Sequence, residues 1–277
     1  MDANDNLKTC HDEVIGILVV KDGNGFIRRT KDHQQRFVSI PYYLSNQTAF
    51  KRPILFVTES PHIEEFKVGQ VYDCLTQELV HARPVNGVTG NNIRQYLIGL
   101  LLGIKLTLED GYYPIIVINA LQEQCSLGQD TALYRTRNFI KYWPSRIEYL
   151  QKRLQELDPI IAINACTAGD FYLMREGKMT QTKAFSSGRR QDFEQAFSLL
   201  LFEEFGYSDA VNSSDDKLVF MGSFDLAGLV MKELYDAYNP RHILLKKSTH
   251  PSAWARSNQL PQLRECGTQL RTLFKIN

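Results

Sequence analysis

The chain has 277 residues, of which 43% are hydrophobic and 23% are charged, and its formal net charge is +1. This length and composition are typical of an ordinary soluble globular protein with one large or two modest domains, and they argue against a small scaffold held by disulfides. A net charge near zero gives no general attraction to nucleic acid or to an anionic membrane, so a nucleic-acid surface would have to be local.

Apolar runs along the chain predict the strands. The first run, Val14–Val20, ends at the turn sequence KDGNG. Further runs predict strands at residues 54–57, 113–121, 158–166 and 241–252, with residues 217–222 as one more candidate. Helical length and spacing are found in three stretches: Asn91–Ile104 with Asn91 or Asn92 as its N-cap, Ser145–Leu157, and residues 225–238.

Continuous apolar strands that alternate with helices are typical of a parallel sheet covered on both faces. We predict a three-layer α/β/α sandwich with a central, mainly parallel sheet of four to five strands. Residues 1–52 are predicted to be an N-terminal extension packed on the core, and residues 53–277 the main domain. The polar segment 174–217, rich in Gly, Ser and Asp, breaks the alternation and is predicted to be an insertion.

The five cysteines are scattered and never form a C-x-x-C pair: Cys10, Cys74, Cys125, Cys166 and Cys266. Their odd number and spacing argue against a disulfide framework, a zinc site and an iron–sulfur cluster. We therefore expect no metal, no cofactor and a reducing, cytoplasmic location. The polar N-terminus is not typical of a signal peptide, and no apolar run approaches the roughly 18 residues of a membrane span.

Polar residues follow the predicted strands at the edge where an open parallel sheet binds ligands. The sequences at these positions are TESPH, NALQEQ, NACTAG and STHPSAW, which would bring Glu59, His62, Asn119, Asn164 and His250 to one rim. Several common motifs are absent from the sequence, among them the G-x-S-x-G elbow, the Walker loop, G-x-G-x-x-G after a strand and H-E-x-x-H.

For three of these residues, the sequence is compatible both with a role in catalysis or binding and with a purely structural role. Glu59 is suited to act as a general base on water or to stabilise a positive charge, or else it caps a turn. Asn119 can present a bidentate hydrogen-bonding edge to a pyrimidine, or it holds loop backbone. His250 can donate a hydrogen bond to a leaving group, although a histidine at a strand end is more often structural.

The sequence around His250 also contains candidates for DNA contacts. Ser252 can bind a phosphate, and Trp254, expected near the surface, can enter a base stack, or it belongs to the core. Lys247 and Arg256 flank the motif, and the segment Arg135–Trp143 interleaves basic and aromatic residues. Such clusters neutralise phosphates, or they are solvated charges on helices.

Together these motifs resemble those of the uracil-DNA glycosylase superfamily. TESPH is similar to the first motif: Glu59 stands where the Gly-Glu-Ala-Pro-Gly branch has its acidic residue, and Ser60 stands where the Gly-Gln-Asp-Pro-Tyr branch has its catalytic Asp. NAL, beginning at Asn119, resembles the second motif, whose Asn reads the pyrimidine edge. STHPSAW resembles the last motif, His-Pro-Ser followed by a side chain that enters the duplex. The resemblance covers about half of the chain, residues 53–168 and 241–254.

The resemblance implies a monofunctional DNA glycosylase that hydrolyses the N-glycosidic bond of a pyrimidine flipped out of the duplex. Glu59 would orient water or stabilise the oxocarbenium-like sugar, Asn119 would read the base, and His250 would hydrogen-bond the departing base. The implied partner is DNA, bound by a monomeric enzyme without metal, cofactor or membrane.

The same resemblance implies which residues surround the base. Ser60 and His62 would line the pocket, and Tyr72, with Phe66 as the rival, would be the stacking platform. The uracil-specific branch blocks substituents at the base's C5 with a Tyr where this chain has His62. We therefore expect a bulky C5-modified base, such as the hydroxymethylated or glucosylated cytosine of phage DNA, and a role in antiviral defence.

Two other functions remain open at this point. One is ordinary uracil excision in base excision repair, and the other is a non-catalytic nucleic-acid-sensing module on the same fold. The presence of Ser60 in place of an Asp suits the sensing module, whereas Glu59 and His250 together favour an enzyme.

Overall fold

The computed structural model describes residues 8–28, 36–126, 131–167, 171–175, 178–182, 226–256 and 261–266. Its strands are β1 (Glu13–Lys21), β2 (Asn24–Arg28), β3 (Arg36–Phe37), β4 (Ile54–Thr58), β5 (Tyr72–Asp73), β6 (Gly111–Asn119), β7 (Ile161–Asn164), β8 (Phe171–Arg175), β9 (Lys178–Thr182), β10 (Leu244–Lys247) and β11 (Arg264–Glu265). Its helices are α1 (Ile40–Ser45), α2 (Val88–Gly103), α3 (Thr131–Gln155) and α4 (Leu226–Tyr238).

Seven strands form one mixed sheet in the order β11-β10-β7-β4-β6-β1-β2. The four central strands, β10, β7, β4 and β6, are parallel to one another, while β1, β2 and β11 pair antiparallel. Two small sheets, β3–β5 and β8–β9, stand apart from it. The carboxyl ends of the four parallel strands therefore share one edge, which is where ligands bind in sheets of this kind.

Strand β4 lies at the centre of the sheet, and all five of its residues are buried. Successive strand residues point to opposite faces, so Leu55 and Val57 join one core cluster while Ile54 and Phe56 join another. Burial on both faces explains why the strand sequence, ILFVT, is apolar throughout instead of alternating.

Helices flank the sheet through these two clusters. Ile93 and Leu97 of α2 pack in the cluster of Ile54, whereas Leu150 of α3 and Leu234 of α4 pack in the cluster of Leu55. The chain is therefore an α/β protein with a mixed sheet whose central strands are mostly parallel, as the alternation of apolar runs and helical stretches predicted.

The prediction of four to five strands was too low. The apolar run of the N-terminal region forms β1, which lies between β6 and β2, and the short β11 extends the other edge beside β10. Residues from the first fifty positions thus contribute two strands to the sheet. An internal position explains why β1 is apolar over most of its length.

Two helices begin earlier than predicted. Helix α2 starts at Val88 with Gly87 as its N-cap, so Asn91 and Asn92 lie within it. The buried Asn92 amide instead donates to the carbonyl oxygen of Pro251 at 2.8 Å. Helix α3 starts at Thr131, well before the predicted Ser145, and continues through Pro144.

Only the start of the predicted insertion 174–217 is described, as part of the β8–β9 hairpin. Most of it, and the candidate strand at 217–222, lie outside the described residues. Among the helices that the structure describes, none combines the length and the apolar composition that crossing a membrane requires.

Candidate active site

The strand order brings three of the predicted residues to neighbouring positions. Thr58, the last residue of β4, is paired with Asn119 of β6, and on the other side Val57 is paired with Asn164 of β7. Since the chain continues from β4 to β6 on one side and then to β7 on the other, the end of β4 is a topological switch point. Glu59 is the first residue beyond it.

The Glu59 carboxylate is buried and held by residues of other elements. One oxygen, Oε2, accepts from the backbone N–H of Thr167 at 3.2 Å, and Oε1 accepts from the Thr167 hydroxyl at 3.2 Å. Arg135 of α3 places Nη1 3.4 Å from Oε1. Two donors and one guanidinium therefore stabilise the ionised form of a carboxylate that has little contact with water.

The pKa of Glu59 results from opposing effects. Burial acts to raise it, but the positive charge that His250 carries when protonated, the charge of Arg135 and hydrogen bonds from backbone N–H groups outweigh burial, so the pKa of Glu59 is lowered. At neutral pH Glu59 is therefore a carboxylate, which can accept a proton from water or stabilise a developing positive charge.

His250 is held in one tautomer by the residues that follow it. Its Nδ1 accepts from the backbone N–H of Ser252 at 3.3 Å and lies 2.9 Å from the Ser252 hydroxyl. Burial lowers the pKa of His250 despite the neighbouring charge of Glu59. The ring is therefore neutral near pH 7 with its proton on Nε2, and that N–H is directed away from Ser252.

The Asn119 side chain is 1% exposed and lies between two other side chains. The Thr58 hydroxyl donates to Oδ1 at 2.7 Å, and Nδ2 donates to Oε2 of Glu65 at 3.4 Å. A primary amide has two acceptor lone pairs and two N–H groups. Within the described residues these contacts use one of each, which leaves one acceptor and one donor on the same amide.

Glu65 is a member of this site that the sequence reading did not identify. It lies in the short 3-10 helix Ile63–Phe66, where Glu64 is exposed and Glu65 is buried. Burial, together with the neighbouring charge of Glu59, raises the pKa of Glu65 to about 8, against the lowering effect of hydrogen bonds with Val85, Asn119 and Cys10. Glu64 and Glu65 are adjacent and identical in type, so the sequence does not indicate that one of them faces inward.

Arg135 and Thr167 were also missed as site residues. Arg135 belongs to the segment predicted to bind phosphate, but it forms an ion pair with Glu59. In the same segment Phe139 and Trp143 are buried and stacked, with ring centroids 5.0 Å apart. Thr167 lies in the strand-end sequence NACTAG, from which Asn164 was predicted as the residue at the rim.

His62 and Ser60 lie close to Glu59. The His62 ring is half-buried, its Nδ1 accepts from the backbone N–H of Glu64 at 3.2 Å, and burial lowers its pKa. The Ser60 hydroxyl is buried beside the Cys125 thiol and makes no hydrogen bond to oxygen or nitrogen within the described residues. Both residues therefore lie just beyond the end of β4, and their predicted contact with a base stays a prediction.

Asn164 has a different environment from Asn119. Its Nδ2 donates to the carbonyl oxygen of Ala227 at 2.7 Å, and its Oδ1 accepts from the backbone N–H of Cys166 at 3.0 Å. Both partners are backbone groups, so this amide joins the end of β7 to α4. The role of Asn164 in the described structure is therefore structural: its amide holds loop backbone in place.

The expectation that Trp254 lies near the surface is wrong. The indole is 2% exposed, packs on the rings of Phe56 and Tyr96, and donates from Nε1 to the Thr249 carbonyl oxygen at 2.9 Å and the Ser248 hydroxyl at 3.1 Å. An indole with its N–H satisfied in the core is not placed to enter a base stack. The alternative prediction for Trp254, a position in the core, is confirmed.

The other predicted DNA contacts vary in position. Ser252 is half-exposed, and its hydroxyl lies against His250. Lys247 is exposed at the end of β10, whereas its neighbour Lys246 is buried and paired with Glu265. The side chain of Arg256 lies outside the described part of the chain.

Neither candidate for the stacking platform has a described contact with Glu59 or His250. Tyr72 is 42% exposed and pairs with Arg36 in the small β3–β5 sheet. Phe66 is half-buried, with the Lys8 ammonium 5.9 Å from its ring centroid. Phe66 directly follows Glu65, whose carboxylate accepts from the Asn119 amide.

A cavity of about 580 Å³ lies beside this site and is lined by Asp12, Gln122 and Arg153, among others. The described residues that line it include neither Glu59 nor His250. Arg153 nevertheless connects it to the rim, because its guanidinium bridges Asp12 and the carbonyl oxygen of Asn119, each at 2.9 Å. The Glu59 carboxylate and the Asn119 amide lie instead at the carboxyl edge of the parallel strands, with His250 close enough to Glu59 for each to shift the pKa of the other.

Comparisons of the chain with protein-family models, with curated proteins and with solved structures found no match. The function therefore has to be argued from the site itself.

Proposed function

We propose that this protein is a DNA glycosylase that hydrolyses the N-glycosidic bond of a flipped-out pyrimidine. The observation that supports the proposal best is the grouping of three chemically different side chains at one sheet edge. Glu59 is ionised, His250 is neutral with its proton on Nε2, and Asn119 keeps one donor and one acceptor within the described residues. These groups can serve the three parts of the proposed reaction, which are stabilisation of the sugar cation, help to the leaving base and recognition of that base.

In the proposed reaction, the bond between the sugar C1′ and the base nitrogen breaks, and its electron pair leaves with the base. The Nε2–H of His250 donates to the base oxygen that becomes anionic. The Glu59 carboxylate stabilises the positive charge on the sugar, and it accepts a proton from the water that adds to C1′. Arg135 and Thr167 keep Glu59 ionised and fixed in place.

The base would be read by Asn119 and by His62. The free donor and acceptor of Asn119 match the edge of a pyrimidine. His62 is a neutral half-buried ring whose Nδ1 is already occupied, which leaves Nε2–H to hydrogen-bond a substituent at the base's C5. We therefore propose a bulky C5-modified base, such as the hydroxymethylated or glucosylated cytosine of phage DNA, and a role in antiviral defence.

The remaining parts of the proposal concern architecture and setting. Helices contact both core clusters, which supports a three-layer α/β/α sandwich. The exposed Lys247 and the half-exposed Ser252, next to His250, are suited to contact phosphates. We propose that the protein acts on DNA as a monomer in the cytoplasm, where free cysteines are stable.

An incision assay tests the proposal directly. The protein is incubated with oligonucleotides that carry uracil, 5-hydroxymethylcytosine or glucosylated hydroxymethylcytosine, and alkali then cuts at abasic sites. We expect cleavage of the modified DNA that is lost in Glu59→Gln, which removes the charge and keeps the size. Cleavage of uracil DNA alone would leave ordinary uracil excision, and binding without cleavage of any substrate would leave the sensing module.

A further inference from the structure

The orientation of the Asn119 amide depends on two side chains that can each change their hydrogen-bonding role. The Thr58 hydroxyl donates to Oδ1 at 2.7 Å, and it also lies 3.3 Å from the carbonyl oxygen of Ile118. If the hydroxyl donated to Ile118 instead, its oxygen could accept from an amide N–H. Thr58 therefore permits either end of the Asn119 amide to face it.

Glu65 is the partner that can remove this freedom. An ionised carboxylate only accepts hydrogen bonds, so it requires Nδ2 of Asn119 to face it, as observed at 3.4 Å. A protonated carboxyl group can both donate and accept, so it allows either Nδ2 or Oδ1 to face it. The proton on Glu65 thus determines whether one or both amide orientations are compatible with the network.

The surroundings of Glu65 bring its titration into an accessible range. The residue is buried, and burial raises its pKa to about 8. The titratable groups that face it are the Glu59 carboxylate from the end of β4 and the Cys10 thiol from the segment before β1. Near Cys10, the carboxylates of Asp12 and Glu13 are paired with Arg153 and Arg83 respectively.

We infer that Glu65 is a positioning residue that sets which edge of the Asn119 amide faces the base, and through it the choice between uracil-type and cytosine-type pyrimidines. Uracil and cytosine present opposite donor and acceptor patterns at N3 and at the substituent on C4. Turning the Asn119 amide therefore exchanges which of the two bases it pairs with. The selectivity part of this inference rests on the proposed function, whereas the coupling of Glu65 to Asn119 does not.

The first test needs no activity. The side-chain amide ¹⁵N resonance of Asn119 is followed by NMR between about pH 6 and pH 9.5. We expect the resonance to titrate in the wild type and in Glu64→Gln, because Glu64 is exposed and paired with Lys67, away from the amide. We expect no titration in Glu65→Gln, whose amide side chain always both donates and accepts. A wild-type resonance that does not move, or a titration that persists in Glu65→Gln, would overturn the inference.

The second test measures selectivity on matched substrates. Single-turnover excision rates are compared for 5-hydroxymethyluracil and 5-hydroxymethylcytosine in one DNA sequence, because these bases share a C5 group and differ in the edge that Asn119 reads. We expect the ratio of the two rates to change by about tenfold across the titration in the wild type, and to stay constant in Glu65→Gln. A ratio independent of pH in the wild type would contradict the selectivity role.

The two tests separate the possible failures. Absence of product on every substrate, together with a titrating Asn119 amide, would sink the proposed glycosylase and leave the coupling intact. Product on both substrates with an amide that does not titrate would support the glycosylase and sink the coupling. If Glu65→Gln fails to fold, the titration of the Asn119 amide in the wild type still tests the coupling. Thr58→Val gives a second test, because it removes the other hydrogen-bond partner of the amide, and we expect it to alter that titration.

Discussion

Asn119 and Asn164 look equivalent in the sequence and differ in the structure. Each ends an apolar parallel strand, in the sequences IIVINA and IIAINA, and each is almost fully buried. The Asn164 amide is satisfied by two backbone groups, whereas the Asn119 amide contacts the side chains of Thr58 and Glu65. Backbone partners are fixed by the fold, while side-chain partners can exchange donor and acceptor roles.

This difference teaches how to separate structural from functional polar residues at a sheet edge. A buried amide that joins backbone groups of two elements holds the fold together, so its removal should affect folding. A buried amide held by side chains, whose donor and acceptor roles can exchange, is better suited to recognition. Substitutions at the two positions should therefore have opposite consequences.

The largest effect is expected for Asn119→Ala. Loss of the amide proposed to read the pyrimidine edge should reduce the single-turnover excision rate by about 10²-fold or more. Thermal unfolding should change less than in Asn164→Ala, because the Thr58 hydroxyl can donate to Ile118 instead. Rates within threefold of the wild type would mean that Asn119 does not read the base.

The opposite pattern is expected for Asn164→Ala. Removal of this amide leaves the N–H of Cys166 and the carbonyl of Ala227 without their partner in a buried region, which should destabilise the protein by about 3 kcal/mol. Denaturant unfolding measures this loss. Excision by the folded fraction should remain near the wild-type rate, and a specific loss of rate without a loss of stability would break the comparison.

A smaller effect is expected for Thr167→Val, which removes one hydroxyl donor to Glu59 and keeps the side-chain shape and the backbone N–H. Excision should slow by about tenfold, because one charge-assisted hydrogen bond to the carboxylate is lost. The lost donor also raises the Glu59 pKa, so the acid limb of the pH–rate profile should move to higher pH. A limb that stays in place or moves to lower pH would show that ionised Glu59 does not govern the rate.

The smallest effect is expected for Trp254→Phe. The ring would still fill the space beside Phe56, but the donor to Thr249 and Ser248 would be lost, which should destabilise the protein by about 1 kcal/mol. Excision by the folded enzyme should not change. A large loss of excision with unchanged stability would restore the duplex-entering role that the burial of Trp254 argues against.

The sequence predicted which residues lie at the sheet edge better than it predicted the contacts that these residues form. Apolar runs located β4, β6 and β7, because strands buried on both faces leave a continuous hydrophobic pattern. The rule that ligands bind beyond the carboxyl ends of parallel strands then selected Glu59 and Asn119. These steps use only local pattern and topology, which a single sequence carries.

The rest depends on contacts between residues far apart in the chain. Glu65 and Asn119 are separated by 54 positions, and Thr167 and Glu59 by 108, so no local pattern connects them. Trp254 was misplaced because an apolar ring after a turn is compatible with either the surface or the core. The start of α3 was missed because Pro144 resembles a helix start, although the helix continues through it.

The central claim is that ionised Glu59 enables cleavage of a glycosidic bond, and the release of free base measures this most directly. DNA that contains glucosylated hydroxymethylcytosine, hydroxymethylcytosine or uracil is incubated with enzyme in excess, and mass spectrometry identifies the small-molecule product. We expect the wild type to release an intact modified pyrimidine together with one abasic site for each base, and Glu59→Gln to release none. Absence of free base from all three substrates, or equal release by Glu59→Gln, would contradict the account.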